Sequence, residues 1–198
     1  MIAWRETTGG ARPQPLEALY RSLALPDVLS LEASTDLHPL ILIAPHVRET
    51  VVAHLRTSPN ELGGLLIGEA FYAAGNDAPE RIAVIRVLEA VAGDEFSSSA
   101  VSLRLGASVW SRAGPHLDAG RLVVGWYHSH PHIGAFFSAT DRRTQRAFFA
   151  HAYSVGWVVD PYRAEASLCE RMYLGADATE VPSAMIVTAP AGRALSTL

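Results

Sequence analysis

The sequence predicts a mixed α/β (α+β) fold, in which one mixed β-sheet is flanked by helices. Strand-like apolar runs alternate with helix-like segments, but several of these runs follow one another without a helix between them. Regular alternation is typical of a doubly wound parallel sheet, whereas consecutive strands favour a mixed sheet covered by helices. The chain has 198 residues, of which 49% are hydrophobic, and this is enough for one domain with a sizeable core.

In the first half of the chain, the spacing of apolar residues and the positions of proline predict the helices and strands. Leu16, Leu19 and Leu23 recur at helical spacing after Pro15, which suits a first helical turn. A short run of Leu and Ile without polar side chains is typical of a buried strand. The predicted elements of this half are a helix at residues 15–25, a strand at 39–44, a helix at 45–58 and strands at 63–72 and 81–91.

Proline residues also predict where some helices and strands of the second half end. Pro131 ends the strand before it, because proline donates no ladder hydrogen bond. Gly114 and Pro115 are expected to interrupt a helix at 106–118. The polar segment 93–99 is expected to be a loop. The other predicted elements are strands at 100–105, 121–130, 154–160 and 165–174, a helix at 138–152 and an edge strand at 184–188.

Composition and charge narrow the function classes. The formal net charge is −4 and no cluster of basic residues stands out, so we expect neither a nucleic-acid partner nor a membrane surface. The single cysteine, Cys169, forms no internal disulfide and excludes a thiolate-rich zinc site. The first ten residues lack a signal-peptide layout, and the longest apolar run, at 40–44, is too short to cross a bilayer. We therefore expect a cytoplasmic protein.

Three histidines occupy alternate positions, at His128, His130 and His132. Side chains two residues apart on a strand share a face, so His128 and His130 can reach one metal ion. Pro131 ends the strand before His132 can continue the row. His132 is therefore the weakest of the three as a ligand.

A third ligand is expected at the start of the next helix. A catalytic zinc site usually has three protein ligands and one open position, and Asp141 is the nearest further candidate. Ser138 and Asp141 also match a helix start, with Ser138 as the cap and Asp141 at the third helical position. The two interpretations are compatible, because a first helical turn holds its side chains in a fixed place.

The combined motif resembles that of a known family. "HSHP", "HIGAFF" and "SATD" together match the His-x-His-x7-Ser-x-x-Asp motif of the JAMM (MPN+, Mov34/PAD1-like, prokaryotic JAB) zinc metalloproteases. "VVGWYHSHP", "VGWVVDP" and "ELGGLLIGE" are similar to the family's strands around its site. The resemblance implies an MPN/JAB fold of the cytidine-deaminase-like type over residues 38–175. Residues 1–37 would be an N-terminal extension with a short helix, and 176–198 a C-terminal tail.

The resemblance also implies a role for each motif residue. Glu61 would be the general base, and Ser138 would donate a hydrogen bond to the developing oxyanion. On spacing alone Glu49 and Glu69 are alternative bases, and the "ELGGLLIG" context favours Glu61. The implied metal is one Zn²⁺ per chain, bound by His128, His130 and Asp141.

Other zinc hydrolases fit the sequence less well. Zinc deaminases need a Pro-Cys-x-x-Cys pair, which a chain with one cysteine does not have. A helical His-Glu-x-x-His motif is also absent. A protein of the same fold that lacks activity and serves as a scaffold is the alternative from another class, and the complete motif argues against it.

The substrate implied by the resemblance is a ubiquitin-like protein or its conjugates, cleaved after the C-terminal glycine. Two possibilities stay open: an isopeptidase of a bacterial ubiquitin-like conjugation pathway, and a processing peptidase for a ubiquitin-like precursor or sulfur-carrier protein. The chain contains no lysine and is rich in Ala and Arg, which favours a GC-rich bacterial genome. The residues expected to line a substrate channel are Trp126, Phe136 and Phe137, with segment 93–99 as a clamp.

Overall fold

The computed structural model describes residues 11–23, 28, 31, 39–73, 81–94, 97–99, 102–104, 106–163 and 169–188. The α-helices are α1 (Leu16–Tyr20), α2 (Pro45–Leu55), α3 (Gly106–Asp118) and α4 (Ala139–Phe148), and Ser183–Met185 forms a 3₁₀ turn. The strands are β1 (Gln14–Pro15), β2 (Leu40–Ile43), β3 (Gly63–Ala73), β4 (Arg81–Ala92), β5 (Ser97–Ser99), β6 (Ser102–Arg104), β7 (Leu122–Ser129), β8 (Val155–Val159), β9 (Glu170–Leu174), β10 (Thr179–Glu180) and β11 (Ile186–Thr188). The predicted mixed sheet flanked by helices is confirmed.

Most strands belong to one sheet with the order β10-β9-β8-β7-β3-β4-β2-β11, and β1 pairs with the far end of β3. The hairpins β3–β4 and β8–β9 are antiparallel, whereas β7–β8, β2–β4 and β2–β11 are parallel. A parallel pair needs a crossover, and α4 provides it between β7 and β8. The carboxyl end of β7 and the amino end of α4 therefore lie at the same edge of the sheet.

Helices cover both faces of this sheet. On one face α2 buries Val47, Val51 and Leu55 in a cluster that includes Tyr127. On the other face, side chains from α3 pack into a second cluster with Trp126 and with the segments on either side of α4. Among the described residues, no helix is both long and apolar enough to cross a membrane.

A β-bulge in β7 decides which side chains face α4. Leu66 pairs with Gly125 and Ile67 with Val123, so one extra residue of β7 is left between the pairs. Gly125 has φ 153°, and a Cβ atom there would lie 1.9 Å from the carbonyl oxygen of Val155. Glycine is therefore required at this position. The extra residue shifts the alternation, so that Trp126 lies on the face covered by α3 and α4.

The structure corrects several boundaries. Segment 93–99 is not wholly a loop, because Ser97–Ser99 pairs antiparallel with Ser102–Arg104; polar composition alone does not distinguish a loop from a short hairpin. Gly114 and Pro115 do not interrupt α3, which continues to Asp118 with Pro115 inside. Proline removes only one helical hydrogen bond, and the buried Val109 and Ala113 hold this helix on the sheet.

The predicted division at residues 37 and 175 stays a prediction. Most of the extension at 1–37 lies outside the described residues. The described parts of both flanks join the main sheet, because β1 pairs with β3 and β11 forms an edge beside β2. Residues 24–25 of the first predicted helix and 165–168 of the last long strand also lie outside the described residues.

Candidate active site and metal centre

The strand end that carries the first two histidines is deeply buried. His128 lies in β7, and His130 follows that strand directly. The backbone N–H of His130 still donates to the carbonyl of Val159 at 2.9 Å, so the pairing with β8 continues through His130. Both imidazoles are buried.

The start of α4 has the predicted capping box. Ser138 Oγ accepts the backbone N–H of Asp141 at 3.2 Å, and Asp141 Oδ2 accepts the backbone N–H of Ser138 at 2.7 Å. The two residues thereby satisfy donors that a helix start otherwise leaves open. The Asp141 carboxylate is buried and is fixed in orientation by this contact.

The histidines and the aspartate converge on one point. His128 Nε2 lies 3.4 Å from Asp141 Oδ1, and His130 Nε2 lies 3.4 Å from Asp141 Oδ2. One ligand atom from each residue lies within 4.8 Å of the others. Two imidazole nitrogens and one carboxylate are a donor set that zinc accepts, with a coordination position left for water or substrate.

The protonation states suit a metal. Burial lowers the pKa of His128 below its ordinary value, so the imidazole is held neutral. Burial alone would raise the pKa of Asp141, but hydrogen bonds from His128, His130 and Ser138 hold that pKa far below its ordinary value. Neutral imidazole and ionised carboxylate are the forms that bind metal. The cluster can therefore hold a divalent ion.

Glu61 lies at the rim of the cluster. Its Oε1 is 3.9 Å from His130 Nε2, and its side chain is 51% exposed. Just after it, Leu62 and Ser129 form a reciprocal pair, in which Leu62 N–H donates to Ser129 Oγ at 3.0 Å and Ser129 N–H donates to the Leu62 carbonyl at 2.9 Å. This pair extends the β3–β7 pairing by one step and brings Glu61 to the histidines.

The two alternative bases lie in other surroundings. Glu69 is within β3, where Arg86 Nη1 is 3.1 Å and Arg121 Nε is 3.7 Å from its carboxylate. Glu49 is an exposed residue of α2. Of these three glutamates, Glu61 is the one whose carboxylate lies within 4 Å of the histidine cluster.

The three aromatic residues predicted to line a channel have different positions. Trp126 is fully buried and stacks on His128, with ring centroids 4.5 Å apart. Phe137 is buried and stacks on Tyr173 at 4.1 Å. Phe136 is 45% exposed and meets the ring of His130 edge-on at 4.9 Å. The channel stays a prediction, and Phe136 is the member on the surface.

Two features of the site were not predicted from sequence. Gln145 Oε1 accepts the indole N–H of Trp126 at 2.6 Å, while its amide donates to the carbonyl of Ser154 at 2.9 Å. Trp126 is thereby fixed against His128. Asp160, which follows β8, accepts backbone N–H groups from the segment after His130. The only sequence signal for Asp160 was its place in "VGWVVDP".

His132 lies away from the cluster. It is exposed, has φ 66°, and stacks on Tyr162 with centroids 4.6 Å apart. Among the described residues, the group of side chains that could hold a metal consists of His128, His130 and Asp141.

Comparison with known proteins identifies a family match. Residues 44–169 match the family model described as prokaryotic homologs of the JAB domain. The solution structure of protein DSY2949 from Desulfitobacterium hafniense is similar with a TM-score of 0.52 and 21% identity, over 77% of this chain and 94% of that chain. This second likeness concerns the fold alone.

Curated relatives match shorter segments. The Lys-63-specific deubiquitinase BRCC36 of Camponotus floridanus is 35% identical over 94 residues, which are 48% of this chain and 36% of that protein. The ubiquitin carboxyl-terminal hydrolase RPN11 of Saccharomyces cerevisiae is 48% identical over 42 residues, 21% of this chain and 14% of that protein. The NAD(+) hydrolase TcpA of Theionarchaea archaeon (strain DG-70-1) is 36% identical over 85 residues, 40% of this chain and 26% of that protein. The chain thus spans well under half of each relative.

Proposed function

The chain belongs to the prokaryotic JAB family, and on this basis we propose that it is a zinc-dependent isopeptidase that hydrolyses the bond after the C-terminal glycine of a ubiquitin-like protein. The observation that carries the proposal is the buried cluster of His128, His130 and Asp141 with Glu61 at its rim. Two of the relatives bear the names of a deubiquitinase and a ubiquitin hydrolase.

In this proposal His128, His130 and Asp141 hold the metal. When bound, zinc supplies a Lewis acid for the scissile carbonyl and lowers the pKa of water to about 7. Glu61 acts as the general base: its carboxylate takes a proton from the attacking water and later passes it to the leaving amine. Such a step typically contributes about 10²- to 10⁴-fold in rate. The exposed side chain of Glu61 leaves this carboxylate accessible to substrate.

Ser138 is proposed to stabilise the oxyanion. Its Oγ already accepts the Asp141 N–H, and a hydroxyl that accepts one hydrogen bond can still donate its own proton. The O–H is therefore available for the oxygen of the carbonyl under attack. One donor of this kind commonly contributes about 10²- to 10³-fold in kcat.

The surface around the site suits an extended apolar peptide. Ile133 and Phe136 are large apolar side chains exposed on the segment that follows His130, and Phe136 contacts the His130 ring. A contiguous group of exposed apolar side chains is typical of a binding surface. The β5–β6 hairpin packs on α4, and its edge offers backbone groups with which a substrate tail can pair. We propose it as the clamp.

The test is Glu61→Gln, with Glu49→Gln as the matched control. We expect both variants to bind one zinc ion per chain, and only Glu61→Gln to lose cleavage of ubiquitin-like fusions, by about 10²-fold or more. Zinc is measured by atomic emission, and the product ends by mass spectrometry. Full activity in Glu61→Gln would refute its role as base.

The same assay separates the finer alternatives. Cleavage of linear fusions but not of side-chain conjugates would favour the processing peptidase. Wild-type protein without stoichiometric zinc and without cleavage would favour the scaffold. The proposed ion is zinc, and the proposed setting is the cytoplasm.

A further inference from the structure

One buried carboxylate holds the segment that leaves His130. Asp160 is 1% exposed. Its Oδ1 accepts the backbone N–H of His132 at 3.2 Å, and its Oδ2 accepts that of Gly134 at 2.9 Å. His132 has φ 66° and Gly134 φ 90°. The carboxylate therefore stabilises a left-handed backbone that a non-glycine residue such as His132 rarely adopts.

Asp160 also fixes its own turn, residues 160–163. Its Oδ1 accepts the backbone N–H of Tyr162 at 3.1 Å, and Arg163 Nε lies 3.4 Å from Oδ2. Arg163 Nη2 donates to the carbonyl of His132 at 3.2 Å. The turn at 160–163 and the segment after His130 are thus one hydrogen-bonded unit.

This turn reaches the segment that carries Glu61 as well. Arg56 Nε donates to the carbonyl of Pro161 at 3.0 Å, and Tyr162 Oη donates to the carbonyl of Ser58 at 3.0 Å. Both contacts lie between the end of α2 and Glu61. The turn therefore contacts both sides of the candidate site.

A charged acceptor is required at this position. Burial would raise the pKa of Asp160, but hydrogen bonds from the amides of Gly134, Tyr162 and His132, together with the Arg163 guanidinium, hold that pKa below its ordinary value. An ionised carboxylate only accepts hydrogen bonds, whereas an amide would turn an N–H₂ group towards a backbone donor.

We propose that Asp160 is a positioning residue for the metal centre, fixing His130 through the segment at 132–134 and the approach of Glu61 through Tyr162. The effect on cleavage rests on the proposed function. The effects on the backbone and on metal affinity do not depend on any substrate. Groups that orient metal ligands without touching the ion commonly change affinity by about 10- to 100-fold.

The first test is Asp160→Asn, which preserves size. We expect its zinc affinity, measured by competition with a chromophoric chelator, to fall about 10- to 100-fold. In the metal-free protein, hydrogen exchange followed by mass spectrometry should accelerate in residues 130–137 and not in β3. Wild-type affinity together with wild-type exchange in Asp160→Asn would overturn the proposal.

Arg163→Met serves if Asp160→Asn does not fold, since Arg163 is 43% exposed and bridges the same two segments. We expect the same direction of change, with Arg146→Met on the far side of α4 as the matched control. Equal effects in Arg163→Met and Arg146→Met would count against the proposal.

The contact between Tyr162 and the segment before Glu61 is tested by Tyr162→Phe, which removes a single oxygen. We expect kcat to fall about 2- to 10-fold with unchanged KM and zinc affinity, because one hydrogen bond of the Glu61 segment is lost. Exchange should accelerate at residues 58–62. Tyr153→Phe is the matched control. An equal fall in kcat in that variant would contradict the proposed role of Tyr162 in positioning Glu61. If the proposed function is wrong, wild-type protein cleaves no fusion, while the exchange differences persist.

Discussion

Ser138 has one observed role and one proposed role, and a pair of substitutions can separate them. As the cap of α4 its Oγ accepts the Asp141 N–H, and as the proposed oxyanion donor it offers its O–H to substrate. Ser138→Ala and Ser138→Gly both remove the hydroxyl. They differ in helix stability, because alanine is a poor cap whereas glycine in place of serine loses only a few tenths of a kcal/mol.

The magnitudes distinguish the two roles. Loss of the cap in Ser138→Ala costs about 1 kcal/mol, which in a chain of this size lowers Tm by about 2–4 °C. Loss of an oxyanion donor costs about 10²- to 10³-fold in kcat. If the hydroxyl acts on substrate, both variants lose kcat equally although their Tm values differ. Zinc content should not change, because the backbone N–H of residue 138 still holds Asp141 Oδ2 in both.

The measurement combines Tm by circular dichroism with steady-state cleavage of a ubiquitin-like fusion. Ser138→Thr keeps a hydroxyl and is the rescue control, expected to restore most of the activity. A Ser138→Gly enzyme that retains clearly more activity than Ser138→Ala, in step with its higher Tm, would refute the oxyanion role. Ser138 would then act only through the helix start.

Two further predictions concern the cluster and the segment beside it. Burial lowers the pKa of His128, so below about pH 6.5 the unfolded chain binds more protons than the folded chain. The urea midpoint of the metal-free protein should therefore fall between pH 7 and pH 5. The pKa of His54 is also lowered by burial, and it changes stability in the same direction. A flat profile would contradict this. His132→Gly should retain full zinc content, whereas His132→Val, with a β-branched side chain at φ 66°, should lose about 1–2 kcal/mol in denaturant unfolding. Loss of zinc in His132→Gly would mean that His132 is a ligand.

The two parts of the candidate metal cluster, the histidine pair and the start of α4, could be predicted because each depends only on residues close in sequence. Two histidines at alternate strand positions share a face whatever the rest of the chain does. The Ser138–Asp141 capping box depends on one turn of helix, and the structure has it as the sequence predicts. Sequence reasoning of this kind needs no knowledge of distant partners.

Glu61 and Asp160 depend on distant partners. Glu61 reaches His130 through the pairing of β3 with β7, where Gly63 pairs with His128, and spacing alone left Glu69 as an alternative. Asp160 accepts hydrogen bonds from backbone N–H groups 26 to 28 residues away. Because nearly every residue has a backbone N–H group, the sequence does not indicate which residues donate. Trp126, predicted for the channel, is fully buried, and its place in a channel stays a prediction.

The face on which the histidines lie could not be predicted either, since every residue from Leu122 to Tyr127 except Gly125 is apolar or aromatic and gives no alternation. Val123 lies on the α4 side, and strict alternation from it would place His128 on the α2 side. The extra residue at the bulge reverses this and places His128 beside Trp126, where Asp141 can meet it. Gly125 permits the bulge through its φ and through its contact with Val155. The candidate metal cluster therefore depends on a glycine three residues before its first histidine, at a position outside the His-x-His-x7-Ser-x-x-Asp pattern.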